Sequence, residues 1–252
     1  MKGYEAPMTS QRLDASLPIC ARIDGRSFSS FTRGCEKPFD AKISTSMRET
    51  CAYLVEETHA KIGFVQSDEI SLIWQNVEGG SVIFDGKVHK MTSVLASMAA
   101  VKFYSIYGGD KLPSFDCRVW QVPSQIEAAN TILWRALDAR KNSVSSACHT
   151  KYSAKQMHQK NREEQVKMLA EAGVNFEEDY SSEDKWGSYY RRVTGQKEID
   201  EETWMKIPEN NKPPTRIVTR SWVDQIPMPY FGDVKNRVGV IFNGEDPFES
   251  KE

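Results

Sequence analysis

Short apolar runs and helical repeats alternate along the first half of the chain. The runs of strand length lie at residues 17–23, 62–66, 70–74 and 115–122. The first predicted helix starts at Asp40, a capping residue, and continues to about Lys61. A polar connection at 76–87 precedes the second predicted helix, which starts near Met91 and ends before Gly108. The order βαββαβ is that of a ferredoxin-like fold, in the α+β class.

This order predicts that two distant aspartates meet. In a ferredoxin-like sheet the first two strands run in the same direction, so the end of strand one and the turn after strand two lie at one edge. Asp24 follows the first strand and Asp68 lies in the turn between the second and third. We therefore expect Asp24 and Asp68 to share that edge. Glu69 would point to the opposite face from Asp68 and is a weaker ligand candidate.

The pattern changes after Pro123. A capping box at Ser124 predicts a helix to about Arg140, and a second box at Asn161 predicts a helix that closes at Gly173. Three later stretches read as strands, at 186–193, 216–223 and 238–242.

We divide the chain on this basis into a catalytic domain at 1–123 and a C-terminal helical and β extension at 124–252.

Composition adds limits on location and partners. The 252 residues carry 33 Lys and Arg against 35 Asp and Glu, a net charge of −2, which neither requires a nucleic-acid partner nor excludes one. No apolar run approaches the ~20 residues of a membrane span, and the first residues lack the apolar core of a secretion signal. Five cysteines without a C-x-x-C pair predict free thiols in a reducing cytoplasm.

The paired aspartates suggest metal chemistry on a triphosphate. Either carboxylate alone would most simply be a solvated turn residue, but two at one edge favour a metal site. Two Mg²⁺ ions held ~3.5–4 Å apart stabilise both oxygens of an in-line phosphoryl displacement. Asp24, Asp68 and the Gly25 carbonyl would suffice, because Mg²⁺ keeps few protein ligands. The turn from Gly25 to Phe28 offers amides for phosphates, although the chain has no Walker motif.

Aromatic and basic residues alternate in the second half. The stretch at 185–192 reads Lys-Trp-Gly-Ser-Tyr-Tyr-Arg-Arg, and Arg135, Arg140 and Lys141 add positive charge nearby in sequence. Such mixtures suit RNA ends and loops, where bases stack and phosphates pair. A strand with a buried tyrosine face and a charged solvent face explains the same residues equally well.

The motifs together resemble the tRNA(His) guanylyltransferase family of 3′–5′ polymerases. The matching residues are Arg22 to Phe28, Lys37-Pro38, Gln66 to Glu69, Phe115-Asp116, Arg118, Pro123-Ser124, Trp134-Arg135 and Asp138. Eukaryotic members carry His-Ile-Asn-Asn-Leu-Tyr-Asn where this chain has residues 140–146, Arg-Lys-Asn-Ser-Val-Ser-Ser. The difference resembles the bacterial or phage-type guanylyltransferase-like branch, which is associated with template-dependent repair of truncated tRNA 5′ ends.

The resemblance implies a polymerase-type palm that works in the reverse direction. Family members activate a tRNA 5′ end with ATP or GTP, and the 3′-hydroxyl of an incoming nucleotide, commonly GTP, attacks that end. Asp24 and Asp68 would be catalytic and, with Gly25, would hold two Mg²⁺ ions. The implied nucleotide contacts are Asp24, Gly25, Arg26, Ser27, Phe28, Ser29, Lys37, Ser67, Asp68 and Lys90.

The resemblance also implies that the C-terminal region binds tRNA and supports assembly, commonly as a homo-tetramer. The candidate tRNA contacts are Arg135, Arg140, Lys141, Lys160, Lys185, Arg191 and Arg192. Two other classes stay open at this point. A palm-type nucleotide cyclase would use the same carboxylates without an RNA acceptor, and a noncatalytic RRM-like module would bind RNA without metal.

Overall fold

One antiparallel sheet of six strands organises the molecule. The computed structural model describes residues 1–75 and 82–249, so part of the predicted polar connection at 76–87 lies outside the described residues. The strands are β1 (Ile19–Gly25), β2 (Ile62–Gln66), β3 (Glu69–Trp74), β4 (Phe115–Gln121), β5 (Ser188–Glu198) and β6 (Ile217–Ile226). They lie in the order β4-β1-β3-β2-β5-β6.

The helices connect these strands or follow them along the chain. They are α1 (Lys2–Thr9), α2 (Phe28–Phe31), α3 (Ala41–Thr58), α4 (Val88–Tyr107), α5 (Gln125–Cys148), α6 (Ala154–Met157), α7 (Arg162–Glu171), α8 (Phe176–Asp179), α9 (Ser182–Trp186) and α10 (Glu201–Lys206). Short 3₁₀ turns occur at Ile83–Gly86 and Glu209–Asn211. No helix in the described parts of the chain is long and apolar enough to span a membrane.

The first four strands have the predicted ferredoxin-like arrangement. β1 pairs antiparallel with both β3 and β4, and β2 pairs antiparallel with β3. β1 and β2 therefore run in the same direction, and the α+β fold class is confirmed.

The two faces of the sheet are buried under different helices. Ile19, Ala21 and Ile23 of β1 belong to the apolar cluster formed with α3 and α4, whereas Cys20 belongs to the cluster formed with α5. Side chains alternate between faces along a strand. Asp24 is therefore on the same face as Cys20, beneath α5.

The two halves of the chain share this sheet. β5 pairs with β2, and β6 pairs with β5 along its whole length. Residue 123 thus marks a change in composition rather than a break in the sheet, and the division into two functional regions stays a prediction.

Several predicted bounds in the second half need correction. α5 continues past Arg140 to Cys148, because Val144 and Ala147 are also buried. The capping box at Asn161 is present. Residues 238–242 are not a strand: Gly239–Asn243 is a π-helical turn with Val240 and Ile241 buried. A short apolar run does not by itself distinguish a strand from a buried helical turn.

Candidate active site

Asp24 and Asp68 lie at one edge of the sheet, as the strand order predicted. The backbone N–H of Gly25, at the end of β1, donates a hydrogen bond of 3.0 Å to the carbonyl of Asp68, in the β2–β3 turn. Both aspartates line one cleft, with a volume of 660 Å³. The chain therefore brings together two carboxylates that are 44 positions apart in sequence.

Local backbone geometry fixes this approach. Ser67 has a φ of +53°, the left-handed conformation that allows β2 to turn directly into β3. A Cβ atom on Gly25 would lie 2.9 Å from Oδ2 of Asp68 and would also meet the Phe28 ring. Only glycine fits between the two strand ends without moving the Asp68 carboxylate.

Burial and neighbouring charges perturb both aspartates in the same direction. Burial raises the pKa of Asp68, and the negative charge of Asp24 raises it further. Burial also raises the pKa of Asp24, as does Asp116, while Arg22 and Arg135 act to lower it. Asp116 lies directly opposite Asp24 in the β1–β4 register. Two desolvated carboxylates that repel each other favour a bound cation.

A network of ion pairs supports the α5 side of the cleft. Arg135 donates two hydrogen bonds of 2.6 Å to Glu69 and one of 2.9 Å to Asp138. The guanidinium groups of Arg22 and Arg135 both lie over the Trp134 ring, 5.5 and 4.7 Å from its centre. Glu69 is thus engaged by arginine, and Arg135 is occupied by carboxylates. These carboxylates, rather than RNA, account for the position of Arg135, and its contact with tRNA stays a prediction.

Seven of the predicted nucleotide contacts line the cleft: Asp24, Ser27, Phe28, Ser29, Lys37, Ser67 and Asp68. Gly25 lies behind them, in contact with Asp68. The predicted amide cradle needs one correction. The N–H groups of Gly25 and Arg26 donate to Asp68 and Ser114, so they are not available to phosphates.

Arg26 and Lys90 do not line the cleft. Lys90 is in the first turn of α4, whereas Tyr107, at the other end of that helix, packs against Phe31 beside the cleft. The rise of 1.5 Å per residue separates the two ends of α4 by about 25 Å. Lys90 therefore lies far from this cleft, and its contact with nucleotide stays a prediction.

Two of the predicted tRNA contacts are buried. Lys185 is 5% exposed and pairs with Glu177, and Arg191 is 7% exposed and donates to the carbonyls of Val240 and Glu245. These side chains hold the fold together and are not available to RNA.

The other predicted tRNA contacts reach the surface. Lys141 is exposed, and the guanidinium of Arg140 lies 4.4 Å from the centre of the Tyr230 ring. Lys160 pairs with Glu164, and Arg192 pairs with Glu56. Surface pairs of this kind are weak and can be exchanged for phosphate.

Sequence reasoning missed the charge of the cleft as a whole. Among the described residues, eight carboxylates line it: Asp24, Glu36, Asp40, Asp68, Glu69, Asp138, Glu183 and Asp184. Its cationic side chains are Lys37, Arg48 and Arg135. Arg48 is half-buried on α3, and its place in the cleft depends on which face of that helix meets the sheet. An acidic cleft of this kind accepts a polyanion only together with cations.

The donor set fits magnesium. No group of three or more His, Cys, Asp or Glu side chains with metal-site geometry occurs within residues 1–75 and 82–249. Mg²⁺ does not need one, because it commonly binds one or two carboxylates and completes its shell with waters and phosphates. Asp24 and Asp68 provide the carboxylates.

Comparison with known proteins gives one consistent result. A family model described as tRNAHis guanylyltransferase matches residues 1–123. A solved bacterial tRNA(His) guanylyltransferase-like protein in complex with ATP is 34% identical, with a TM-score of 0.71, and the match covers 77% of this chain and 85% of that one. A bacterial protein of the same description in complex with GTP is 29% identical, with a TM-score of 0.72 and 91% of each chain covered.

A probable tRNA(His) guanylyltransferase of Dictyostelium discoideum is 28% identical over 159 residues. That match covers 59% of this chain and 60% of the Dictyostelium protein.

Proposed function

Because the chain belongs to the tRNAHis guanylyltransferase family, we propose that it is a nucleotidyltransferase that adds nucleotides to the 5′ end of tRNA in the 3′–5′ direction. The bacterial neighbours in complex with ATP and with GTP support nucleoside triphosphates as its substrates. The observation that carries the proposal is the joint position of Asp24 and Asp68 in one cleft.

The metal part of the proposal is that Asp24, Asp68 and the Gly25 carbonyl hold two Mg²⁺ ions. Bound there, the ions would neutralise the triphosphate and stabilise the attacking and leaving oxygens of the displacement. Asp24 and Asp68 supply the negative charge that retains them. Ser27, Phe28, Ser29, Lys37 and Ser67 line the same cleft and would position the phosphates.

The amides of the Ser27–Ser29 turn are suited to phosphate. Within the described residues no acceptor engages the N–H groups of Ser27, Phe28 and Ser29, in contrast to those of Gly25 and Arg26. Consecutive free amides in a turn can bind anionic oxygens. We assign the triphosphate to this turn and the metal ions to the aspartate side of it.

Repair of truncated tRNA 5′ ends is the activity that we favour. The segment at 140–146 differs from the eukaryotic motif, and the solved neighbours with complexed nucleotides are bacterial. Arg140, Lys141, Lys160 and Arg192 are the tRNA contacts that we retain, in the region 124–252. A homo-tetramer and a cytoplasmic location complete the proposal, and the free state of all five cysteines supports a reducing compartment.

The acceptor requirement tests this function. The protein is incubated with Mg²⁺, each nucleoside triphosphate in turn, and 5′-triphosphorylated tRNAs that are intact or lack the first nucleotide. Repair predicts addition opposite a complementary base on the truncated tRNA. Conversion of ATP or GTP to a cyclic product without RNA would instead identify a cyclase.

A further inference from the structure

The cleft contains a second arginine besides Arg135, at residue 48. Arg48, on α3, lines the cleft, and it forms no ion pair with any described residue. Within residues 1–75 and 82–249, its one side-chain hydrogen bond is a long one of 3.5 Å to the hydroxyl of Thr45. Arg135, by contrast, is held by two carboxylates. Of the two arginines among the described residues of the cleft, Arg48 is therefore the one that is not paired with a carboxylate.

Arg48 lies on the β5 side of the cleft. The cleft follows the sheet edge from Asp24 in β1, past Glu69 in β3, to Val65 in β2 and Ser188 in β5. Three strand spacings of ~4.8 Å make this span about 14 Å. α3 packs on β2, β5 and β6. The charge of Arg48 also acts on Tyr190 of β5, where it opposes the burial that raises the Tyr190 pKa to about 12.

The charge balance indicates what this end of the cleft binds. Glu183 and Asp184 also line this side of the cleft. The guanidinium of Arg48 therefore lies near carboxylates, but it forms no ion pair with them. The carboxylates assigned to the proposed ions belong to the end of β1 and to the β2–β3 turn, whereas the charge of Arg48 acts on Tyr190 of β5. A polyanionic substrate that fills the cleft needs a separate positive group here.

We propose that Arg48 binds a phosphate group of the substrate at the β5 end of the cleft, separate from the phosphates held at Asp24 and Asp68. The planar guanidinium matches two phosphate oxygens at once. The assignment rests on the proposed function, since that function brings two phosphate-bearing substrates into one cleft. The phosphate belongs either to the incoming nucleoside triphosphate or to the RNA 5′ strand.

Two substitutions separate charge from shape. Arg48→Met removes the charge and keeps most of the aliphatic stem on α3. Arg48→Lys keeps a point charge and loses the bidentate fork. The matched control is Arg220→Met, because Arg220 is exposed on β6 and does not line the cleft. Melting temperatures establish that all three variants are folded.

Equilibrium binding is measured with GTP·Mg²⁺ and, separately, with 5′-triphosphorylated tRNA that lacks its first nucleotide. We expect Arg48→Met to reduce the affinity for one of these ligands about tenfold or more. If the ligand is RNA, the slope of log affinity against log salt should also fall by about one. Arg48→Lys should bind the same ligand several-fold more weakly than the native protein does. Arg220→Met should bind both ligands with native affinity.

The ligand whose binding is weakened identifies the source of the phosphate. A loss for GTP alone assigns Arg48 to the incoming nucleotide, and a loss for RNA alone assigns it to the RNA. Affinities of Arg48→Met within twofold of native for both ligands would overturn the proposal. If Arg48→Met does not fold, native affinities in Arg48→Lys overturn it instead. A native protein that binds both ligands and adds no nucleotide contradicts the proposed function without changing the Arg48 result.

Discussion

One backbone hydrogen bond of 3.0 Å, from the amide of Gly25 to the carbonyl of Asp68, ties the end of β1 to the β2–β3 turn. It fixes the two strand ends that carry Asp24 and Asp68. The bond involves no side chain, so the relative position of the two carboxylates follows from strand order and from the absence of a Cβ atom at residue 25.

Gly25→Ala should therefore damage both stability and activity. The added Cβ would clash first with the buried Phe28 ring and would also lie 2.9 Å from Asp68 Oδ2, which is closer than ordinary Cβ contacts allow. We expect the Asp68 carboxylate to move and kcat/KM for nucleotide addition to fall about 100-fold, as misplacement of a catalytic group by ~1 Å can cause. Gly3→Ala is the control, because nothing lies within 4 Å of a Cβ there. Equal activity of the two variants would contradict this account of Gly25.

Asp68→Asn should stabilise the protein when no metal or nucleotide is present. The folded-state pKa of Asp68 is raised above its ordinary value of 3.8, chiefly by burial. Such a group contributes stability below the ordinary pKa and loses it as the pH rises through the raised pKa. At pH 7.5 the asparagine variant avoids that loss, and its Tm in EDTA should exceed the native value by about 2 °C or more.

The pH dependence provides the control for this sign. The difference in Tm between the native protein and Asp68→Asn should disappear when the pH falls below about 4. Addition of Mg²⁺ and GTP at pH 7.5 should reverse the order, because the native protein gains binding energy that the variant lacks. A variant less stable than native in EDTA at pH 7.5 would contradict a raised pKa of Asp68 in the folded protein.

Removing the charge of Lys141 should affect tRNA binding, whereas removing the charge of Lys185 should affect stability. Lys141→Met removes an exposed charge from α5, so the salt slope of tRNA binding should fall by about one with little change in stability. Lys185→Met removes a buried cation that bonds to Glu177, and should cost about 1–3 kcal/mol of unfolding free energy without changing that slope. Urea unfolding and salt-dependent binding measure the two effects. The reverse pattern would return Lys185 to the RNA surface.

Apolar periodicity predicted those parts of the fold where one face is buried. β1 and α3 were found close to their predicted bounds because their buried residues recur at the strand and helix periods. The π-helical turn at Gly239–Asn243 was not predicted, because an apolar run of five carries no period. The side-chain role of Arg191 was missed for a related reason. An arginine in a strand gives no sign in the sequence of whether carbonyls will surround it.

The site was predictable as far as strand order determines it. Asp24 and Asp68 meet because β1 and β2 are parallel in the sheet, and no local motif was needed. Lys90 was assigned by resemblance alone, and the length of α4 places it far from the cleft. Arg48 required the opposite kind of information. Its position follows from which face of α3 meets β5, and that depends on strands more than a hundred residues later in the chain.

The most direct test is incorporation of labelled GTP, in a single turnover, onto a 5′-triphosphorylated tRNA that lacks its first nucleotide. We expect the native protein to extend this RNA in Mg²⁺ and not in EDTA. Asp24→Asn and Asp68→Asn should each lose at least 1000-fold in rate while remaining folded, as removal of groups that hold transition-state charge does. Extension at a near-native rate by either variant, or by the native protein in EDTA, would contradict the assignment of the metal ions to these two aspartates.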